Sequence, residues 1–406
     1  MATHSNTIDQ DLLETTLTAL YKESPQSVKD REAYSFDRLA GPFSGRLILF
    51  GAGPLGKAAA RGLREAGNPP LFFADNNPRL WGAIVEGVQV ISAVEAIEKY
   101  KLSACFVVTV YNGTGLRAHL KQHGCQCVVH FMSLFWKYSN IFLPSSCMAL
   151  PSVIFDSTDT IRSGYSALAD DRSRTLFCEQ LTWRVLLNSE AMRPHSAVSD
   201  MYFQPDLITL SDRETYVDCG AFDGDSIRSF LIHSRDRFER IYALEPDLMN
   251  RKSLDAYLET LPGAISSRIA VFPYAVGSCR SKVLFSMGNS VASRILSQSD
   301  SGETDCLTLD EIMRRRSPTF IKMDIEGAEP DAIEGASRVL NESRPVLAAC
   351  VYHRSEHLWQ IPSLIANIST HHRIFLRRYA EDCWELVCYA VPESRMAGKL
   401  VFNCIS

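Results

Sequence analysis

The run Val217-Asp218-Cys219-Gly220-Ala221-Phe222-Asp223-Gly224-Asp225-Ser226 sets one carboxylate before a glycine and two more around a second glycine. In a strand-to-helix turn, glycines let a ligand come close to the backbone. Three acids in the same turn repel phosphate and favour a cationic ligand. S-adenosylmethionine carries a sulfonium and an ammonium and no phosphate, so it suits this turn. Gly220 and Gly224 leave room for it, and Asp218 or Asp223 can receive its amino group directly or through water. Glu245 ends the next strand, 25 residues after Gly220, where a carboxylate can take both ribose hydroxyls, with Pro246 beside it. Ala275, after the third strand, is small enough for an adenine to lie against it.

Methyl transfer to a hydroxyl also needs somewhere for the hydroxyl proton to go. Asp324 ends a later strand, Glu326 and Glu329 follow it into a loop and helix, and Tyr352-His353-Arg354 ends the strand after that. Open α/β sheets bind their ligands at this carboxyl edge. His353 is the expected base because an unperturbed imidazole titrates near neutrality; a histidine bonded to Asp324 or Glu326 in an architectural role is the competing expectation. Asp324 and Glu329 support it, and Glu326, Tyr352 and Arg354 face the acceptor. Lys322, two residues before Asp324, shares its face of a regular strand and can orient a carboxylate. Asp324, Glu326 and Glu329 also suit a hard divalent cation, which prefers clustered carboxylates. The stretch His353-Arg354-Ser355-Glu356-His357 fits a zinc-peptidase pattern, but a strand runs into it rather than a helix, so the match is taken as chance. Trp359 and Pro362 then wall the acceptor pocket or simply pack.

A second glycine turn lies earlier. Gly51-Ala52-Gly53-Pro54-Leu55-Gly56 follows a strand and opens a helix, the context a dinucleotide fingerprint requires. Asp75, 22 residues after Gly53, could bind ribose hydroxyls of a nucleotide there. The same glycines are also what a bare strand-to-helix turn needs. The run ADNNPRLWGAIVEGVQVIS resembles the small Rossmann-like domains of sugar-modifying transferases, some of which bind a nucleotide-sugar.

The elements that must position these residues alternate twice. After an N-terminal helical segment (1–40), with a capping pattern at Thr7-x-x-Gln10 and an apolar face at Leu12, Leu13, Thr16, Leu17 and Leu20, a βαβα rhythm over 41–140 predicts a Rossmann-like domain. Residues 141–205 lose the rhythm and read as a linker with a helix near 174–187. A second alternation over 206–406 closes with an antiparallel hairpin, RIFLRRYA and WELVCYAV. The expected fold is α/β with two doubly wound sheets.

The second half resembles the FkbM family of S-adenosylmethionine-dependent methyltransferases. The resemblance covers residues 206–396 and rests on VDCGAFDGDS, YALEPD, PYAVG, TLDEI and, most specifically, FIKMDIEGAEPDAIEGA at 320–336. It implies a class I methyltransferase fold of seven strands with the last antiparallel, and O-methylation of a small molecule, glycan or nucleotide-linked sugar. Two alternatives remain at this point: an NAD(P)-dependent sugar oxidoreductase using the first glycine turn, and a non-catalytic cofactor-binding protein.

Composition bounds the rest. The chain has 406 residues, 46% hydrophobic and 22% charged, which is ordinary for a globular protein of two domains. Forty-two Lys and Arg against 47 Asp and Glu give a net charge of -5, so a broad nucleic-acid surface is not expected. No apolar run is long enough for a membrane span, and the first residues lack a signal-peptide pattern, so no membrane partner and a cytoplasmic location are expected. The 12 cysteines show no CxxC pair and read as reduced thiols. The oligomeric state has no signature in the sequence.

Overall fold

A computed structural model describes residues 5–189, 192–286 and 301–397. The chain forms two compact units, Met1–Thr158 with Cys178–Pro194 and Ala380–Trp384, and Asp159–Phe177 with His195–Tyr379 and Glu385–Ser406. Neither unit is one stretch of sequence, unlike the contiguous division expected at 140 and 205. The helix Asp171–Leu186 contributes residues to both, and it starts three residues before the expected Arg174.

In the first unit, helices Ser5–Tyr21 and Pro25–Ala40 precede the sheet. The first begins at Ser5, so Thr7 lies inside it rather than capping it; Leu13, Leu17 and Leu20 are buried. Strands β1 (Leu47–Phe50), β2 (Phe72–Asp75), β3 (Ile84–Val85), β4 (Val88–Ser92), β5 (Cys105–Val108) and β6 (Cys127–His130) lie in the order β3-β4-β2-β1-β5-β6. All pairs are parallel except the β3–β4 hairpin. That hairpin was not expected from the sequence. Its turn is Glu86-Gly87, both at positive φ, which matches the twist of a two-residue hairpin loop. The Ser92 hydroxyl accepts the Glu95 N–H at 3.1 Å and starts the next helix as its spacing predicts.

The second unit holds a seven-stranded sheet: β7 (Thr215–Cys219), β8 (Arg240–Leu244), β9 (Ile269–Phe272), β13 (Phe320–Met323), β14 (Val346–Cys350), β15 (His372–Arg378) and β16 (Leu386–Pro392). Their order is β15-β16-β14-β13-β7-β8-β9, and β16 runs antiparallel to both neighbours. Between β9 and β13 in sequence, β10 (Ala275–Val276), β11 (Ser281–Ser286) and β12 (Ser301–Leu307) make a three-stranded sheet in which β11 and β12 are antiparallel. The central strands β13 and β14 are buried along their whole length and apolar except for Lys322 in β13, as strands covered on both faces are. Phe203, Tyr216, Phe230 and Phe320 interlock on one face, with Phe203 to Phe320 ring centroids 5.2 Å apart. Among the described residues no helix is long and apolar enough to cross a membrane.

Candidate functional site

Parallel strands β7, β8, β13 and β14 end together, and their last residues carry the acids singled out in the sequence. Gly220 follows β7 at φ +78°, and a Cβ there would lie 2.0 Å from the Asp324 carbonyl oxygen. Gly224 caps the helix Asp225–Ser234 at φ +89°, against Tyr257 and Leu254. Both glycines are therefore required by the turn itself, whatever binds above it.

Asp218 is fully buried, which of the expected roles, direct or water-mediated contact with a cofactor amino group, disfavours the direct one. One oxygen accepts from the Ser226 hydroxyl, and Lys322 Nζ lies 3.1 Å from the other. Lys322 also donates to the Gly220 carbonyl at 2.6 Å, so the pair holds the glycine turn from beneath. Burial opposes the charge on Lys322, but Asp218, Asp324 and Asp225 outweigh it and keep the amine protonated. Burial raises the Asp218 carboxyl against the pull of Lys322. Asp223 is partly exposed and pairs with Arg228 at 3.0 Å.

Glu245 sits where β8 ends. Its Oε2 accepts the Phe222 N–H at 2.8 Å, and its Oε1 accepts the Asp247 N–H at 2.9 Å. Oε1 also accepts the Asn250 side-chain amide at 3.3 Å, so the carboxylate ties the glycine turn to the next strand while Oε2 keeps a lone pair. Burial pushes this carboxyl up, and the two backbone N–H groups oppose that. Pro246 is half-buried, with its carbonyl bonded to Arg251 at 2.6 Å. Ala275 belongs to β10 and pairs with Cys306 in the small sheet, half-buried.

At the ends of β13 and β14, His353 lies between two carboxylates. Nδ1 is 2.7 Å from Glu329 Oε1 and Nε2 is 3.2 Å from Asp324 Oδ1, with Glu326 Oε2 at 4.0 Å. Burial alone would strip its proton, but Glu329 and Asp324 outweigh burial and hold His353 well above the ordinary histidine range. Asp324 and Glu329 are held low in turn, against their own burial, chiefly by His353. With a carboxylate at each ring nitrogen, the geometry favours the architectural reading of His353 over its reading as base.

The same geometry bears on the expected divalent cation. Asp324, Glu329 and His353 bring ligand-type atoms within 4.8 Å of one another. Glu329 Oε1, however, already accepts from Ile325 N–H at 2.9 Å and faces His353, while Oε2 faces His357 Nδ1 at 3.5 Å. The Glu329 oxygens and both His353 nitrogens thus already face partners within the cluster, so these residues do not fit a metal. Glu326 is exposed at φ +56°, and Arg354 is exposed beside Gly327. His353 and His357 both face Glu329; His357 opens the helix His357–Ile368 while His353 precedes it. The zinc-peptidase pattern is thus a chance match. Trp359 and Pro362 are buried in that helix and pack.

Two residues went unnoticed in the sequence. Tyr202, from the segment expected to be linker, donates to Asp324 Oδ2 at 2.7 Å. Tyr352 reaches the same oxygen at 3.5 Å. Glu385 stands at the start of β16, beside Asp324 and Tyr352. No motif marks either Tyr202 or Glu385.

In the first unit the glycine turn is explained by packing. A Cβ on Gly56 would meet the Gly51 carbonyl oxygen at 1.9 Å, and Gly51 itself has φ +109°. Gly53 begins the helix Pro54–Glu65. Asp75 accepts from the Ala52 and Asn77 N–H groups, each at 2.8 Å, so its carboxylate braces the turn. A cavity of about 340 Å³ lies elsewhere in this unit, lined by Phe72, Trp81, Gln89, Ser92, Glu95 and Tyr100.

Residues 218–380 match the family described as Methyltransferase FkbM domain. No curated protein matches the sequence. Among solved structures, a methyltransferase FkbM from Methylobacillus flagellatus KT aligns with 23% identity over 94% of this chain and 100% of that one, TM-score 0.74. That likeness shows the fold. A precorrin-6y C5,15-methyltransferase from Geobacter metallireducens GS-15 aligns at 11% identity over 45% of this chain and 80% of its own, TM-score 0.28. Fibrillarin from Aeropyrum pernix aligns at 12% identity over 47% and 73%, TM-score 0.28. The match to the methyltransferase FkbM domain over residues 218–380 thus falls on the mixed α/β sheet of the second unit and the acids gathered where its parallel strands end.

Proposed function

We propose that the protein transfers a methyl group from S-adenosylmethionine to a hydroxyl of a small molecule, glycan or nucleotide-linked sugar. One observation carries the reading: Glu245, at the end of β8, braces the glycine turn through the Phe222 N–H and keeps a lone pair on Oε2 for a ribose hydroxyl. The surrounding charge agrees with it. Asp223, Asp225, Asp324, Glu326 and Glu385 gather at this edge, where a cation is favoured and phosphate is not. When bound, the cofactor supplies an activated methyl group, so the protein's part is to hold the acceptor oxygen in line and manage its proton. Gly220 and Gly224 keep the turn open, Ala275 offers a small wall for adenine, and Asp324 orients groups through Tyr202 and Tyr352. Glu326, Tyr352 and Arg354 face the acceptor.

The nicotinamide alternative has weaker support, because the Asp75 carboxylate braces its own turn and no acid–base set stands beside the first glycines. Calorimetry of the full chain with S-adenosylmethionine, S-adenosylhomocysteine, NAD and NADP tests the reading. Binding of the two sulfur compounds with no binding of NAD or NADP is expected. Binding of NAD alone would replace this reading with the oxidoreductase.

A further inference from the structure

An antiparallel strand begins where its parallel neighbours end. Because β16 lies antiparallel beside β14, the residue just before it falls at the carboxyl edge of the sheet, where open α/β folds bind ligands. That residue is Glu385. Its backbone is pinned on both sides: its carbonyl accepts the Tyr379 N–H at 2.9 Å, and the Leu386 carbonyl accepts the Val351 N–H at 2.9 Å. It sits at φ +49° and is half-buried, so its backbone is held while part of the residue stays open to solvent. The charged and titratable groups facing it come from every neighbouring element. They are Asp324 after β13, Tyr352 and His353 after β14, and Asp225 at the start of the helix Asp225–Ser234. Cys350 in β14 and Tyr202 also feel its charge.

Two other groups at this edge are committed. His353 has a carboxylate at each nitrogen, and Asp324 is engaged by His353, Tyr202 and Tyr352. We propose that Glu385 takes the proton of the acceptor hydroxyl, an assignment that rests on the methyltransferase reading above. Its carboxylate accepts the hydroxyl proton as the oxygen lone pair bonds to the methyl carbon. The C–S bonding pair stays with sulfur, which becomes a neutral thioether, and the Glu385 carboxyl later returns its proton to water. Burial, with the charge of Asp324 adding to it, pushes Glu385 up to about 7; His353 and a hydrogen bond from Tyr352 oppose that rise. Asp324 is meanwhile held low. Two carboxyls whose environments push them apart divide naturally into an orienting group and a proton acceptor.

The assignment can be tested without knowing the acceptor. Sinefungin carries a charged amine in place of the cofactor's methyl-sulfonium unit, so that amine reports on the group facing the methyl. The affinities of sinefungin and S-adenosylhomocysteine are measured by calorimetry from pH 5.5 to 8.5 on the full chain and on Glu385→Gln. In the wild type the sinefungin preference is expected to rise about tenfold or more through neutrality, as a charge-assisted contact forms. In Glu385→Gln the ratio should be flat, with S-adenosylhomocysteine affinity little changed. A flat ratio in the wild type, or an equal rise in Glu385→Gln, overturns the assignment. If Glu385→Gln does not fold, Tyr352→Phe carries the test: losing a hydrogen bond to the ionised form should move the inflection to higher pH, and an unmoved inflection overturns it. Failure of the wild type to bind S-adenosylhomocysteine at any pH would instead overturn the methyltransferase reading, and this assignment with it.

Discussion

Lys322→Met isolates the buried pair that holds the glycine turn. Lys322 and Asp218 have side-chain exposures of 3% and 0%, and Nζ also supports the Gly220 carbonyl. Met keeps most of the volume and removes the charge, so Asp218 is left with Ser226 as its remaining partner. Breaking a buried pair by removing one member costs about 3–5 kcal/mol, because the survivor stays desolvated. Asp218→Asn with Lys322→Met removes both charges, and the loss should then fall to about 0–2 kcal/mol. The Asp218 carboxyl, already raised by burial, loses the amine that holds it down. A carboxyl raised in the folded state destabilises as pH climbs above its unfolded value, so the deficit of the single variant should grow from acid to neutral pH. The chain has two units, so hydrogen exchange at the amides of β7 and β13 is the suitable measurement, rather than one global melt. A single-variant loss below about 1 kcal/mol, or a double variant no better than the single, would refute the argument that charge compensation holds this turn.

Three further outcomes follow from the same geometry. Glu245→Gln places an amide donor where two backbone N–H groups already point, and cofactor affinity should fall roughly 10- to 100-fold by calorimetry; unchanged affinity in a folded variant would remove Glu245 from the ribose site. His353→Gln leaves Glu329 buried without its cation, a loss of about 3–5 kcal/mol at neutral pH. That deficit should shrink in acid as Glu329, held low in the wild type, takes up its proton, and also above the raised pKa of His353; a melting difference independent of pH would contradict the ion-pair account. Gly56→Ala sets a Cβ against the Gly51 carbonyl and should destabilise the first unit by about 1–3 kcal/mol. Cofactor affinity should stay within about twofold, and a large loss would mean that the first glycine turn contributes to that site.

Much of the frame was legible from local pattern. Short apolar runs located β1, β7, β8, β13 and β14, and the spacing from Gly220 to Glu245 placed a carboxylate at the end of the second strand of its sheet. The final antiparallel pair was readable as two β-rich pieces across a short connection. The β3–β4 hairpin escaped because its strands are short, and Glu86 reaches positive φ where no glycine announces it. The division into units also escaped, since contacts between distant segments, not composition, set it.

The chemistry at the site divides along the same line. Residue types and spacing were enough to show an acidic turn suited to a cation, because charge and strand length are properties of the local chain. Which acids are free is a different matter, decided by burial and by partners brought from far along the sequence. Asp218 is removed from direct contact by Lys322, 104 residues away. His353 becomes a held cation through Glu329 and Asp324. Glu385 reaches the edge because an antiparallel strand must start where its parallel neighbours stop. A sequence lists the ionisable groups in order, but desolvation and through-space charge set which of them can move a proton, and both arise when the sheet is assembled.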